Sequence, residues 1–187
     1  MGVDRTNRAV GLALCVTLAL TFMATVAYAV TRAEIDTKAQ AAMERFKTQV
    51  EGADIYLRDA KGVLIMPDIT KAGLVLGGQH GDGALMVAGR NVAYYSVTAA
   101  SAGLQAGVQK FDMVLIFTTD EALKKFQESS GWTAGADANV VIVKSGAAGE
   151  ANTLKSQNPI LGFLFGEKGL MAGVAVNGSK FSKIIPE

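Results

Sequence analysis

Between Thr31 and Val50 the apolar residues Ile35, Ala39, Ala42, Met43, Phe46 and Val50 recur three or four positions apart, the spacing that lines one face of an α-helix. Thr31 followed by Glu34 supplies a capping box at its start. On the helical wheel Lys38 and Arg45 share one border of this stripe and Lys47 lies on the other, so the pattern predicts an apolar face with basic shoulders. Gly52 loosens the helix, and "ADIYLRDA" reads as a second helical piece ending at Lys61-Gly62. Beyond Gly62 the texture changes to short apolar runs broken by Gly, Pro, Asn or Asp: "VLIMP", "GLVLGG", "GALMVAG", "NVAYYSV", "GLQAGVQ" and "DMVLIF". Turn signals at this spacing predict antiparallel strands, with hairpin turns at Gly81-Asp82-Gly83 and Gly89-Arg90-Asn91. One helix interrupts them, capped by Thr118 with Glu121, carrying Ala122, Leu123 and Phe126 on its apolar side and ending at Gly131. "NVVIV" (Asn139 to Val143) reads as another strand, "SGAAGEANTLKSQNP" as a long loop, and "ILGFLFGEKGLMAGVAVNGSKFSKI" as two or three closing strands. The resulting expectation is one α+β domain, mainly antiparallel sheet or barrel-like, with an N-terminal amphipathic helix and one inserted helix.

The first 29 residues change the meaning of the composition. Arg5 and Arg8 precede a long apolar run, and Ala27-Tyr28-Ala29 places small residues where a signal peptidase reads, so Met1–Ala29 is expected to be an export signal and 30–187 the domain. The competing reading is a retained anchor, because Val10 to Val30 is about long enough to cross a bilayer. The segment carries Arg5 and Arg8 against Asp4, so its loss takes the formal charge from +1 to zero. A neutral domain has no global field to gather nucleic acid. Exported or membrane-associated, in a periplasm-like compartment, the domain would also lack the chain's single cysteine, Cys15, and with it any thiolate nucleophile or disulfide.

These absences narrow the chemistry. A single histidine, His80, gives no cluster for a transition metal, and a Ser-His-Asp arrangement through it competes with a plain solvated turn residue. "GGQHGDGAL" lacks the Lys-Ser/Thr of a phosphate-binding loop, and Met86 stands where a dinucleotide fingerprint needs its third glycine. Glu167 and Lys168 break the apolar run before the G-x-x-x-G of Gly169 to Gly173, against a membrane helix-pairing motif. No catalytic residue, metal site or cofactor is assigned.

Four pieces in order resemble the SYLF, or Ysc84, family of lipid-binding domains: "AKGVLIMPDITKAG" (60–73), "GGQHGDG" (77–83), "AGLQAGVQKFDMVLIF" with Gly103, Gln105 and Gly107, and "GEKGLMAGVAVNG". The chain departs from the family pattern at Tyr95-Ser96-Val97-Thr98, where an aromatic-Ser-x-Pro element is usual, and at Phe165-Gly166, where a Tyr-Ser pair is usual. The resemblance implies a noncatalytic protein that binds membrane phospholipid, phosphoinositide in eukaryotic relatives beside actin, and here anionic phospholipid or another acyl lipid of the cell envelope. On that reading Lys38, Arg45, Lys47, Arg58, Lys61, Lys71 and Arg90 are the candidate headgroup contacts. The rival is an envelope structural or interaction protein that binds another protein through a sheet edge or apolar patch. An unrecognised hydrolase is the third alternative.

Overall fold

The computed structural model describes residues 30–73, 76–102, 107–144, 146–166, 169–171 and 176–187. The expected export signal, Gly103 and Gln105, and much of the last family-like segment lie outside them. The predicted first helix is α1 (Arg32–Gln49). Thr31 is its extended N-cap, and the Thr31 hydroxyl accepts from the Glu34 amide at 3.3 Å. Ile35, Ala39, Ala42, Met43 and Phe46 are buried as the period requires, and Val50 after the helix is buried too. Gly52, at φ 77°, turns the chain into the short α2 (Ala53–Leu57).

Nine strands follow among the described residues: β1 (Gly62–Gly73), β2 (Leu76–Val87), β3 (Arg90–Ala102), β4 (Gly107–Phe117), β5 (Trp132–Thr133), β6 (Val141–Ile142), β7 (Ile160–Gly166), β8 (Gly169–Leu170) and β9 (Lys180–Ile184). They form one sheet in the order β5-β9-β3-β2-β1-β4-β7-β6, with β8 added to β7. Every pairing is antiparallel except β6 with β7. The remaining helices are α3 (Asp120–Glu128) and α4 (Ala151–Gln157), the latter preceded by a 3₁₀ turn, Ala147–Glu150. The α+β expectation holds, and the sheet curls into a half-barrel.

"VLIMP" is continuously apolar because this part of β1 is covered on both faces. Val63 and Ile65 join a helical-side core of α1 and α2 residues with Ala84, Val114, Ile116, Leu161, Phe163 and Phe165. Leu64 and Met66 face the opposite side, where Phe126 of α3 is the hub. Its ring centroid lies 4.7 Å from Tyr95, 5.0 Å from Phe117 and 5.3 Å from Trp132. The aromatic residues of the two elements that depart from the family pattern, Tyr95 and Phe165, are both core residues. The Tyr95 hydroxyl is buried without a hydrogen-bond partner among the described residues, and desolvation raises its pKa.

Three local expectations are corrected. Gly81-Asp82-Gly83 is not a turn; it lies inside β2 opposite Val97, Ser96 and Tyr95. The glycines are needed there because β1 presses on them. A Cβ on Gly83 would sit 2.1 Å from the Ile65 carbonyl oxygen, and one on Gly81 3.0 Å from Ile69. Helix α3 is capped by Thr119, whose hydroxyl accepts from the Ala122 amide, while Thr118 donates instead to the Asn158 carbonyl; Ser129, not Gly131, is its C-cap. The expected loop after Val143 contains the 3₁₀ turn and α4. Tyr56 holds that turn to α2 through the Ala147 carbonyl at 3.0 Å.

Candidate functional site

Helix α1 crosses the strands rather than running along them. Near its start Asp36 accepts hydrogen bonds from Asn91 and from the Tyr94 hydroxyl of β3, and near its end Phe46 packs on Phe163 and Phe165 of β7. The helix therefore divides the helical face of the sheet into two grooves. One, of about 630 Å³, has Ala39, Met43, Val63 and Met86 in its lining and Asp36, Glu44 and Lys47 among its polar groups. The other, a cleft of about 560 Å³, is lined by Ile35 and Lys38 of α1 and by Asp68, Thr70, His80 and Asp82 of the sheet.

The predicted contacts divide between these regions. Lys38 donates to Glu34 at 2.7 Å on the cleft side, and that hydrogen bond raises its pKa against the opposing effect of desolvation. Arg45 has a different duty. Its Nε donates to Asp112 Oδ2 at 2.7 Å, and Asp112, with its side chain only 6% exposed, also accepts from the Asp68 amide at 2.9 Å. The pair pins α1 to β4 and to the irregular stretch of β1, where Asp68 has φ 50°. The hydrogen bond to Asp112 raises the Arg45 pKa, partly opposed by desolvation.

Lys47 faces the larger groove and donates to Glu44 at 3.0 Å. Arg58 is exposed at the end of α2, where its carbonyl accepts from Lys155. Lys61 lies 3.6 Å from Asp120. Arg90 is exposed at the start of β3, beside the Ala88-Gly89 turn. Lys71 lies near the other end of β1, paired with Gln79 and Gln109. At about 3.3 Å per residue, Lys61 and Lys71 are separated by roughly 30 Å along the strand. The seven cations therefore form no single patch.

The register brings together residues that the sequence pattern missed. Lys110 of β4 faces Thr70 of β1, Thr70 faces His80 of β2, His80 faces Thr98 of β3, and Thr98 faces Lys180 of β9. Directly opposed residues in antiparallel strands share a face. A row of two ammonium groups, two hydroxyls and one imidazole thus crosses five strands, about 19 Å at 4.8 Å per step, with the cleft at its centre. Lys110, His80, Thr98 and Lys180 are exposed, and neither lysine makes an ion pair among the described residues. Period-two alternation was the available signal, but only the pairing register aligns the five residues.

His80 does not sit in a turn. Its side chain is 65% exposed, its Nε2 stands 3.9 Å from Asp82 Oδ2, beyond hydrogen-bond reach, and its strand neighbours are threonines. Among the described residues no group of three or more His, Cys, Asp or Glu side chains is placed to hold a metal. No helix of the described residues is long and apolar enough to cross a membrane.

Fold and surface define an α+β domain whose curled sheet carries grooves on its helical face. Residues 98–184 match the family described as Ysc84, Las17-binding protein actin regulator, the family that the four sequence pieces resemble. It is 33% identical over 143 residues to LAS seventeen-binding protein 3 of Saccharomyces cerevisiae, a match covering 70% of this chain and 31% of that protein. It is 32% identical over 143 residues to Protein YSC84 of the same yeast, covering 70% of this chain and 30% of the relative. The chain thus spans about a third of the length of these relatives, one of which is named as a binding protein.

Proposed function

We propose that the protein is a noncatalytic lipid-binding protein of the cell envelope that recognises anionic phospholipid, or a related acyl lipid, at a membrane surface. The observation carrying this reading is the cross-strand row from Lys110 to Lys180, open at the foot of α1 beside Lys38. Ammonium and hydroxyl groups donate to phosphate oxygens, and near an anionic membrane each cation is worth on the order of 1 kcal/mol. The apolar face of α1 is not the contact, because Ile35, Ala39, Ala42 and Phe46 are already buried on the sheet. Met1–Ala29 is proposed as the export signal on its sequence pattern alone.

A second reading, a protein partner, is favoured by the name of the yeast relative, which describes a protein that binds Las17. Exposed Val92 and Ile185 are the apolar anchors it would use. Co-flotation of the full chain with phosphatidylglycerol–phosphatidylcholine vesicles, and with phosphatidylcholine alone, tests the lipid reading. Binding is expected to require phosphatidylglycerol and to weaken with salt. Equal binding to neutral vesicles would assign it to the apolar N-terminal segment, and no binding would leave the protein partner as the better reading.

A further inference from the structure

His80 occupies the middle of the row, two strands from each lysine end. Each element around it contributes charge or polarity. Helix α1 brings Lys38, already paired with Glu34; β1 brings Asp68 and Thr70; β2 brings Asp82; β3 brings Thr98; β4 and β9 bring Lys110 and Lys180. Within the cleft itself, one ammonium therefore faces two carboxylates. A neutral imidazole leaves this cavity net negative, which opposes a phosphate, whereas an imidazolium reduces that excess and places a third cation midway between the two lysines. Histidine changes charge between about pH 5 and 8, while aspartate and lysine do not change charge in the upper part of that range.

We propose that His80 is a proton-operated gate on this row, so that the site takes up a phosphate-bearing headgroup more tightly when the imidazole is protonated. The inference rests on the lipid-binding reading and adds its regulation. One added cation beside an anionic group corresponds to about a five-fold gain in affinity. By linkage, bound phosphate must favour the protonated imidazole to the same degree.

The chain's single histidine makes this directly observable. Full-length protein is titrated with dihexanoyl phosphatidylglycerol, below its micelle concentration, at pH 5.5 and 7.5, and the imidazole proton signals are followed through pH with and without the lipid. Binding about five-fold tighter at pH 5.5, an imidazole midpoint that rises on saturation, and collapse of the pH ratio to about one in His80→Gln are expected. Lys110→Gln with Lys180→Gln should weaken binding at both pH values and keep the ratio. An unmoved imidazole midpoint, or an intact ratio in His80→Gln, overturns the gate while leaving lipid binding in place. Absence of binding at either pH overturns the lipid-binding reading and the gate with it.

Discussion

The two ends of the long central strands are built for opposite purposes. At the inner end, residues 62–66 of β1 and 111–117 of β4 are packed on both faces, with Leu64, Ile65, Met66 and Met113 to Phe117 fully buried. At the outer end the same strands carry Thr70, Lys71, Ala72, Val108, Gln109 and Lys110, and Val108 is 69% exposed. The two ends also use glycine differently. Gly83 lies where a Cβ would overlap the β1 backbone, whereas a Cβ on Gly78 would meet nothing closer than the Ala99 carbonyl oxygen at 3.6 Å. The core of the inner end is therefore filled, with its groove of about 630 Å³ lying outside it beside Val63 and Met86, and the outer end leaves the face that carries the row open beside α1.

The sharpest way to break this contrast is at those glycines. Gly83→Val is expected to prevent stable folding, since a 2.1 Å contact with backbone forces β1 and β2 apart and costs more than about 4 kcal/mol. Gly78→Ala should stay within about 1 kcal/mol of the parent in denaturant unfolding. Comparable losses at the two sites would mean that both ends are packed alike.

The next effect concerns the clamp between them. Arg45→Met removes the partner of buried Asp112 and should cost about 2 kcal/mol, less than a fully buried pair because Arg45 is 38% exposed. Asp112→Asn should recover part of that loss in the double variant, since the amide needs no counter-charge. A clamp variant with unchanged melting but weakened lipid binding would instead make Arg45 a headgroup contact. The smallest effect is at the α3 cap: Thr119→Ala should cost about 1 kcal/mol through the lost bond to the Ala122 amide.

Where the signal was local, the sequence was readable. The α1 stripe, its Thr31 cap and the antiparallel class follow from period and turn chemistry within a few residues. Thr118 and Thr119 are adjacent and both have the right chemistry, so only the Asn158 carbonyl, 40 residues away, decides which one caps. Glycine marks either a turn or a close approach, and Gly81 and Gly83 became strand glycines because of the irregular stretch of β1 beside them. Helix α4 buries only Ala151 within its span, so it leaves no apolar stripe to read. The Arg45–Asp112 pair spans 67 residues, and the row from Lys110 to Lys180 exists only through four strand registers. Basic shoulders on α1 were visible; the duty that holds one of them to the sheet was not.

In the proposed lipid-binding function the outer row, and not the apolar face of α1 or the cations at the inner end, meets the membrane. Charge reversal at its two ends tests this directly: Lys110→Glu with Lys180→Glu, compared with Arg58→Glu with Lys61→Glu, in equilibrium binding to phosphatidylglycerol vesicles. All four positions are exposed, so each pair should melt close to the parent. The outer pair is predicted to weaken binding more than ten-fold, and the inner pair to change it by less than about three-fold. Unchanged binding in the outer pair, with a ten-fold loss in the inner pair, would contradict the account and move the lipid site to the opposite end of the sheet.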